Sequence, residues 1–69
     1  MTFDSSFFSH RLKLKQSVMK LSVRETAKQI GISPATVSRL NNGATPDIET
    51  FAMCCKWMRL EMERFFKHK

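Results

Sequence analysis

The stretch "LSVRETAKQIGISPATVSRLNNG", Leu21 to Gly43, decides the fold. Ser22 with Glu25 three residues later is a capping box, and Gly31 supplies a left-handed residue that stops a helix, so Val23 to Ile30 is predicted as a helix of about two turns. Ser33 starts the next helix by accepting from the amides ahead of it. Pro34 falls at its first position, where a missing N–H costs nothing. That second helix runs to Asn42 and stops at Gly43. Two short helices joined by about three residues cross steeply only with a small residue at the crossing and a turn that tolerates positive φ. Ala27 and Gly31 meet those needs, Ile30, Val37 and Leu40 face the shared core, and Ile32 plugs the turn.

Upstream, "TFDSSFFSHRLKLKQSVMKL" offers Asp4, Ser5 or Ser6 as a cap, with Phe8, Leu12 and Met19 at helical spacing on a core face. Phe7, Leu14 and Val18 make a second apolar stripe on the same helix. Downstream, "GATPD" is a loop, Asp47 caps a helix to about Met58, and "LEMERFFK" reads as a short fifth helix. β-Branched residues are scattered with no period-two alternation, so strand signals are almost absent. The reading is a single all-α domain over residues 1–69, a bundle of about five short helices with the paired motif at about 22–43.

The 69-residue length excludes a large internal pocket, because a chain this short buries only about 60% of the surface its unfolded form exposes. The net charge is +6 and unevenly placed. Between His10 and Asn42 stand Arg11, Lys13, Lys15, Lys20, Arg24, Lys28 and Arg39 against the single acid Glu25, whereas beyond Gly43 the two signs nearly balance. One half of the molecule therefore faces a polyanion, such as nucleic acid or an anionic membrane surface, unless the charge merely solvates it. Frequent helix breaks argue against the membrane surface. Cys54 and Cys55 are adjacent, which strains a disulfide between them. With no C-x-x-C spacing and only His10 and His68 besides, no metal or other cofactor is expected. No apolar run approaches a signal or membrane helix, so a cytoplasmic protein is expected. No paired carboxylates, nucleophile–base set or phosphate-cradling loop supports an enzyme.

From roughly Ser9 to Phe66 the chain resembles the lambda-repressor and Cro-type (XRE-like) helix-turn-helix family of phage and bacterial regulators. "SHRLKLKQ" is similar to the family's basic first helix, the Leu21–Gly43 stretch to its bihelical motif, and "DIETFAMCCKWM" to its fourth helix. The departures are Thr26 in place of a core Leu or Ile, Arg59 in place of a helix-ending Gly, and a "GATPD" loop without Lys or Arg. At Thr26 a slightly polar core is expected, or a hydroxyl that bonds back to the preceding turn.

With Val37 and Leu40 inward, positions 34, 35, 38, 39 and 42 fall on the outer face. The resemblance implies that this helix, Ser33 to Asn42, enters the major groove by its N-terminal end. Arg39 is the expected base reader, its fork pairing with guanine O6 and N7, with a phosphate contact as the alternative. Ser38 reads base or backbone, Ala35 and Pro34 meet a thymine methyl, and Ser33 bonds DNA if it is not fully engaged as a cap. Thr36 serves backbone or base, Asn42 and Thr45 match the family's phosphate-gripping positions, and Arg24 and Lys28 support the amides at the start of their helix. Lys13, Lys15 and Lys20 add steering charge.

The resemblance further implies a homodimer on an inverted repeat, because one unit reads too few base pairs to be selective. The apolar excess at residues 57–69, with Trp57, Leu60, Met62, Phe65 and Phe66, is assigned to that interface. Alternatively the last segment packs back on the first helix. The expected activity is repression by promoter occlusion. The competing reading is an antitoxin-like module whose apolar C-terminal surface holds a partner protein.

Overall fold

The computed structural model describes residues 1–67. In chain order it contains β1 (Thr2–Phe3), α1 (Ser5–Met19), α2 (Val23–Ile30), α3 (Pro34–Asn41), α4 (Ile48–Met58), a single 3-10 turn (Met62–Phe65) and β2 (Phe66–Lys67). The fold is the expected all-α bundle, with four α-helices and the 3-10 turn where a fifth helix was predicted. β1 and β2 pair antiparallel, Thr2 opposite Lys67 and Phe3 opposite Phe66. Strands of two residues are too short to show alternation, so this pairing of the chain's two ends left no mark in the sequence.

Each helix begins as its capping residue dictates. Asp4 accepts from the Phe7 amide, Ser22 from Glu25, Ser33 from Thr36 and Asp47 from Thr50. The capping box is complete, with Glu25 N donating to Ser22 Oγ at 3.1 Å and Ser22 N to Glu25 Oε1 at 2.9 Å. Gly31 ends α2 at φ +96°, a left-handed conformation that favours glycine, while a Cβ there would meet only the flexible Met53 methyl at 3.2 Å, so the backbone sets the requirement. Arg59 ends α4 in the left-handed region, φ 60°, and does the capping that the family gives to glycine.

The core is aromatic at one end. Phe8 lies 5.2 Å from Phe65 and 5.6 Å from Phe51, ring centre to ring centre, with edges turned toward faces. Such pairs contribute about 0.5–1.5 kcal/mol each beyond area burial. Leu12, Ile30, Leu40, Cys54, Cys55 and Met58 continue it toward α2 and α3. Burial pushes the thiol of Cys54 up to about 12 and that of Cys55 to about 11, which keeps both protonated and inert.

Three expectations need correction. Phe65, assigned to the dimer interface, is 0% exposed and sits among Phe7, Phe8 and Phe51. The last segment packs back on α1, tied by the Asp4 amide to the Phe65 carbonyl at 2.7 Å. Phe7, placed on the second stripe, is half-buried against that same ring at 5.4 Å. Met19, placed in the core, is 44% exposed, because the buried face of α1 continues from Leu12 to Gln16 and the helix then ends at Lys20 in the left-handed region. At Thr26 the first of the two alternatives holds: the side chain is 0% exposed and places a polar atom in the core, and its hydroxyl finds no partner among the described residues, the preceding turn included.

Candidate nucleic-acid interface

α3 is positioned from both sides. Ala27, Val37 and Leu40 are buried at the α2–α3 crossing, and the Ile32 amide donates to the Ala27 carbonyl at 3.0 Å to close the turn. At its far end α3 is tied to α1 by an amide pair that sequence reasoning missed. Gln16 Nε2 donates to Asn41 Oδ1 at 2.8 Å, Asn41 Nδ2 donates to Gln16 Oε1 at 3.2 Å, and Gln16 Nε2 also reaches the Leu12 carbonyl at 3.2 Å. A signal existed: Gln16 falls four residues after Leu12 on the core stripe, where a polar side chain needs a buried partner.

With that orientation fixed, Pro34, Ala35, Ser38, Arg39 and Asn42 lie exposed on one face, as spacing predicts. Ser33 Oγ accepts from the Thr36 amide at 3.1 Å and lies 2.8 Å from Thr36 Oγ1. Arg39 Nη2 reaches the same Thr36 oxygen at 3.4 Å. The Thr36 oxygen has two lone pairs, so it accepts from Arg39 whichever of the two hydroxyls donates between Ser33 and Thr36. Thr36, expected on phosphate, thus has its hydroxyl engaged between Ser33 and Arg39. Asn42 Nδ2 donates to the Ser38 carbonyl at 3.0 Å, leaving one amide proton for a phosphate.

Thr36, Arg39, Thr45, Asp47 and Thr50 line one surface groove between α3 and the loop that follows. This brings Thr45 beside the outer face of α3, although the sequence separates them. Hydrogen bonding from Thr50 holds the Asp47 carboxyl below its ordinary value of 3.8, so that end of the groove carries a negative charge. Arg24 and Lys28 are exposed on α2 and lie outside this groove. The amides of Ser22 and Glu25 are engaged by the capping box, so the start of α2 offers a phosphate fewer donors than its position suggests.

Of the C-terminal residues expected between copies, Trp57 is half-buried, its indole N–H donating to Gln29 Oε1 at 2.9 Å. The Lys15 ammonium lies 4.7 Å above its ring and donates to its carbonyl. Leu60, Met62 and Phe66 are half-buried against the core, and residues 68–69 lie outside the described residues. Among the described residues no cluster of His, Cys, Asp and Glu is arranged to hold a metal ion, and no helix is long and apolar enough to cross a membrane.

A family model for helix-turn-helix proteins matches residues 19–63, well over half of the chain. Searches of the curated proteins and of the solved structures return no match. The matched span contains both helices of the motif, the groove beside Arg39 and all of α4. A packed two-helix unit with an exposed second helix, on a strongly basic chain, is what a major groove accepts. The chain belongs to the lambda-repressor and Cro-type helix-turn-helix family of DNA-binding regulators.

Proposed function

We propose that the protein is a non-catalytic cytoplasmic repressor that reads double-stranded DNA through α3 and occludes a promoter as two copies on an inverted repeat. The observation that carries this reading is Arg39, exposed on the outer face of α3 and steadied by Thr36. A guanidinium fork in that place pairs with guanine O6 and N7, and Ala35 with the ring of Pro34 offers an apolar edge to a thymine methyl. Ser38 adds a donor for base or backbone, and Ser33 adds a second where its proton turns from Thr36 to the DNA. Asn42, Thr45, Arg24 and Lys28 hold phosphates, and the cationic half of the chain steers the approach.

Pairing rests on the short reach of one α3, and with Phe65 in the core it falls to the half-buried Met62 and Phe66 rather than the whole C-terminal cluster. Selection of bound sequences from a random duplex pool tests the reading. An enriched inverted repeat with half-sites about 34 Å apart is the expected result. A pool that stays random contradicts specific binding, and a single unpaired site contradicts the dimer.

A further inference from the structure

A trough runs between the C-terminal half of α1 and the end of α4. It consists of two adjoining cavities of about 290 and 560 Å³ that share Lys15 and Met19. Its floor is apolar: Leu14, Val18 and Met19 come from α1, and Met58 and Leu60 from the end of α4 and beyond. Val18 is 72% exposed and Leu14 and Met19 are each 44% exposed, so this floor is open to solvent. Its walls are cationic, with Arg11 and Lys15 on one side and Lys56 and Arg59 on the other. No Asp or Glu lines either cavity among the described residues. None of these residues belongs to the groove beside Arg39.

We propose that this trough docks an acidic amphipathic helix of a partner protein. Arg11, Leu14, Lys15 and Val18 recur at three- and four-residue steps, so α1 presents a straight apolar stripe with cations along it. A helix laid into the trough sets its apolar face on Leu14, Val18 and Leu60 and its flanking carboxylates against Arg11, Lys15, Lys56 and Arg59. Apolar burial supplies the affinity and the rim charges select the sign of the partner. Lys15 is already ordered over the Trp57 ring, so that wall loses little freedom on binding. DNA is a poorer occupant, since a phosphate backbone pairs with the cations but leaves the apolar floor of Leu14, Val18 and Leu60 without an apolar partner. A second copy is a poor occupant too, because pairing the face with itself crowds the same four cations from each chain into one seam.

The inference does not depend on the DNA reading and is tested apart from it. The full chain is titrated with a synthetic amphipathic peptide of about four helical turns, Leu on one face and Glu on both flanks. Trp57, the sole tryptophan, reports by fluorescence, and backbone amide shifts locate the contact. Saturable binding that moves the Leu14 and Val18 amides is expected. It should weaken by about tenfold or more when Lys replaces Glu in the peptide, and likewise in the Val18→Glu and Lys56→Glu variants, both at exposed positions. Equal binding of the Lys peptide, or none of the Glu peptide, overturns the proposal. Displacement of the peptide by a random-sequence duplex assigns the trough to nucleic acid instead. Concentration-dependent self-association of the wild type that Val18→Glu abolishes assigns it to a second copy.

Discussion

Arg39 Nη2 lies 3.4 Å from Thr36 Oγ1, one turn earlier on α3, and that same oxygen lies 2.8 Å from Ser33 Oγ. The residue that caps the helix and the residue proposed to read DNA from it are therefore linked through a single hydroxyl. A contact of that length is weak in itself. It acts by narrowing the rotamers of a long exposed side chain, so that less freedom is lost when the fork meets a base.

Replacing Thr36 by Val should lower specific affinity by a few-fold without changing which bases are preferred. Replacing Arg39 by Ala should remove preference at one position altogether. Fluorescence anisotropy on a selected duplex separates the two, and an indifferent Thr36→Val shows that the hydroxyl does not steady the reader.

The Gln16–Asn41 amide pair predicts a stability cost with a specific pattern. Asn41→Leu leaves the largely buried Gln16 amide without its partner and should destabilise by about 1–3 kcal/mol. The double variant Gln16→Leu, Asn41→Leu should recover part of that loss, since no polar group is then stranded. Urea denaturation of the four proteins gives the coupling, and strict additivity would mean that the pair is not a unit.

Thr26 carries the opposite prediction. Its hydroxyl is fully buried without a partner among the described residues, so Thr26→Val removes a desolvated polar group at nearly constant volume. A gain of about 1 kcal/mol, or a rise in Tm of about 4–8 °C for a chain of this size, is expected by calorimetry. A fall in Tm would show that the hydroxyl has a partner after all.

Two carboxylates set an acid limit. Hydrogen bonds from Ser22 hold Glu25 below its ordinary 4.5, and bonds from Thr50 hold Asp47 below 3.8. Groups depressed in the folded state stabilise it fully above their unfolded values and lose that contribution as pH falls through the folded ones. Tm should therefore decline below about pH 4.5. Because both groups are exposed the decline is modest, and Glu25→Gln with Asp47→Asn should flatten it. An unchanged acid limb in that double variant contradicts the assignment.

Most of the motif was legible because its signals are local. Ser22, Glu25, Gly31, Ser33 and Pro34 state where α2 and α3 begin and end, and the spacing of Val37 and Leu40 turns Arg39 outward. What was not legible depends on contacts between distant segments. Phe65 read as surplus apolar surface because nothing near it in sequence shows Phe7, Phe8 and Phe51 closing around it. Met19 fits the core period but falls where α1 stops, while Gln16, which breaks the apolar pattern, is the buried residue and holds the far end of α3. Thr45 joined the groove only once the loop folded beside α3.

The most direct measurement compares wild type and Arg39→Ala on the selected duplex and on variants in which each guanine of a half-site is changed in turn. The account predicts that wild type loses about 1–3 kcal/mol at one guanine. Arg39→Ala should be indifferent at that guanine and still discriminate at the others, with its circular dichroism unchanged. If Arg39→Ala keeps full discrimination at every position, Arg39 is not the reader and the account of α3 is contradicted.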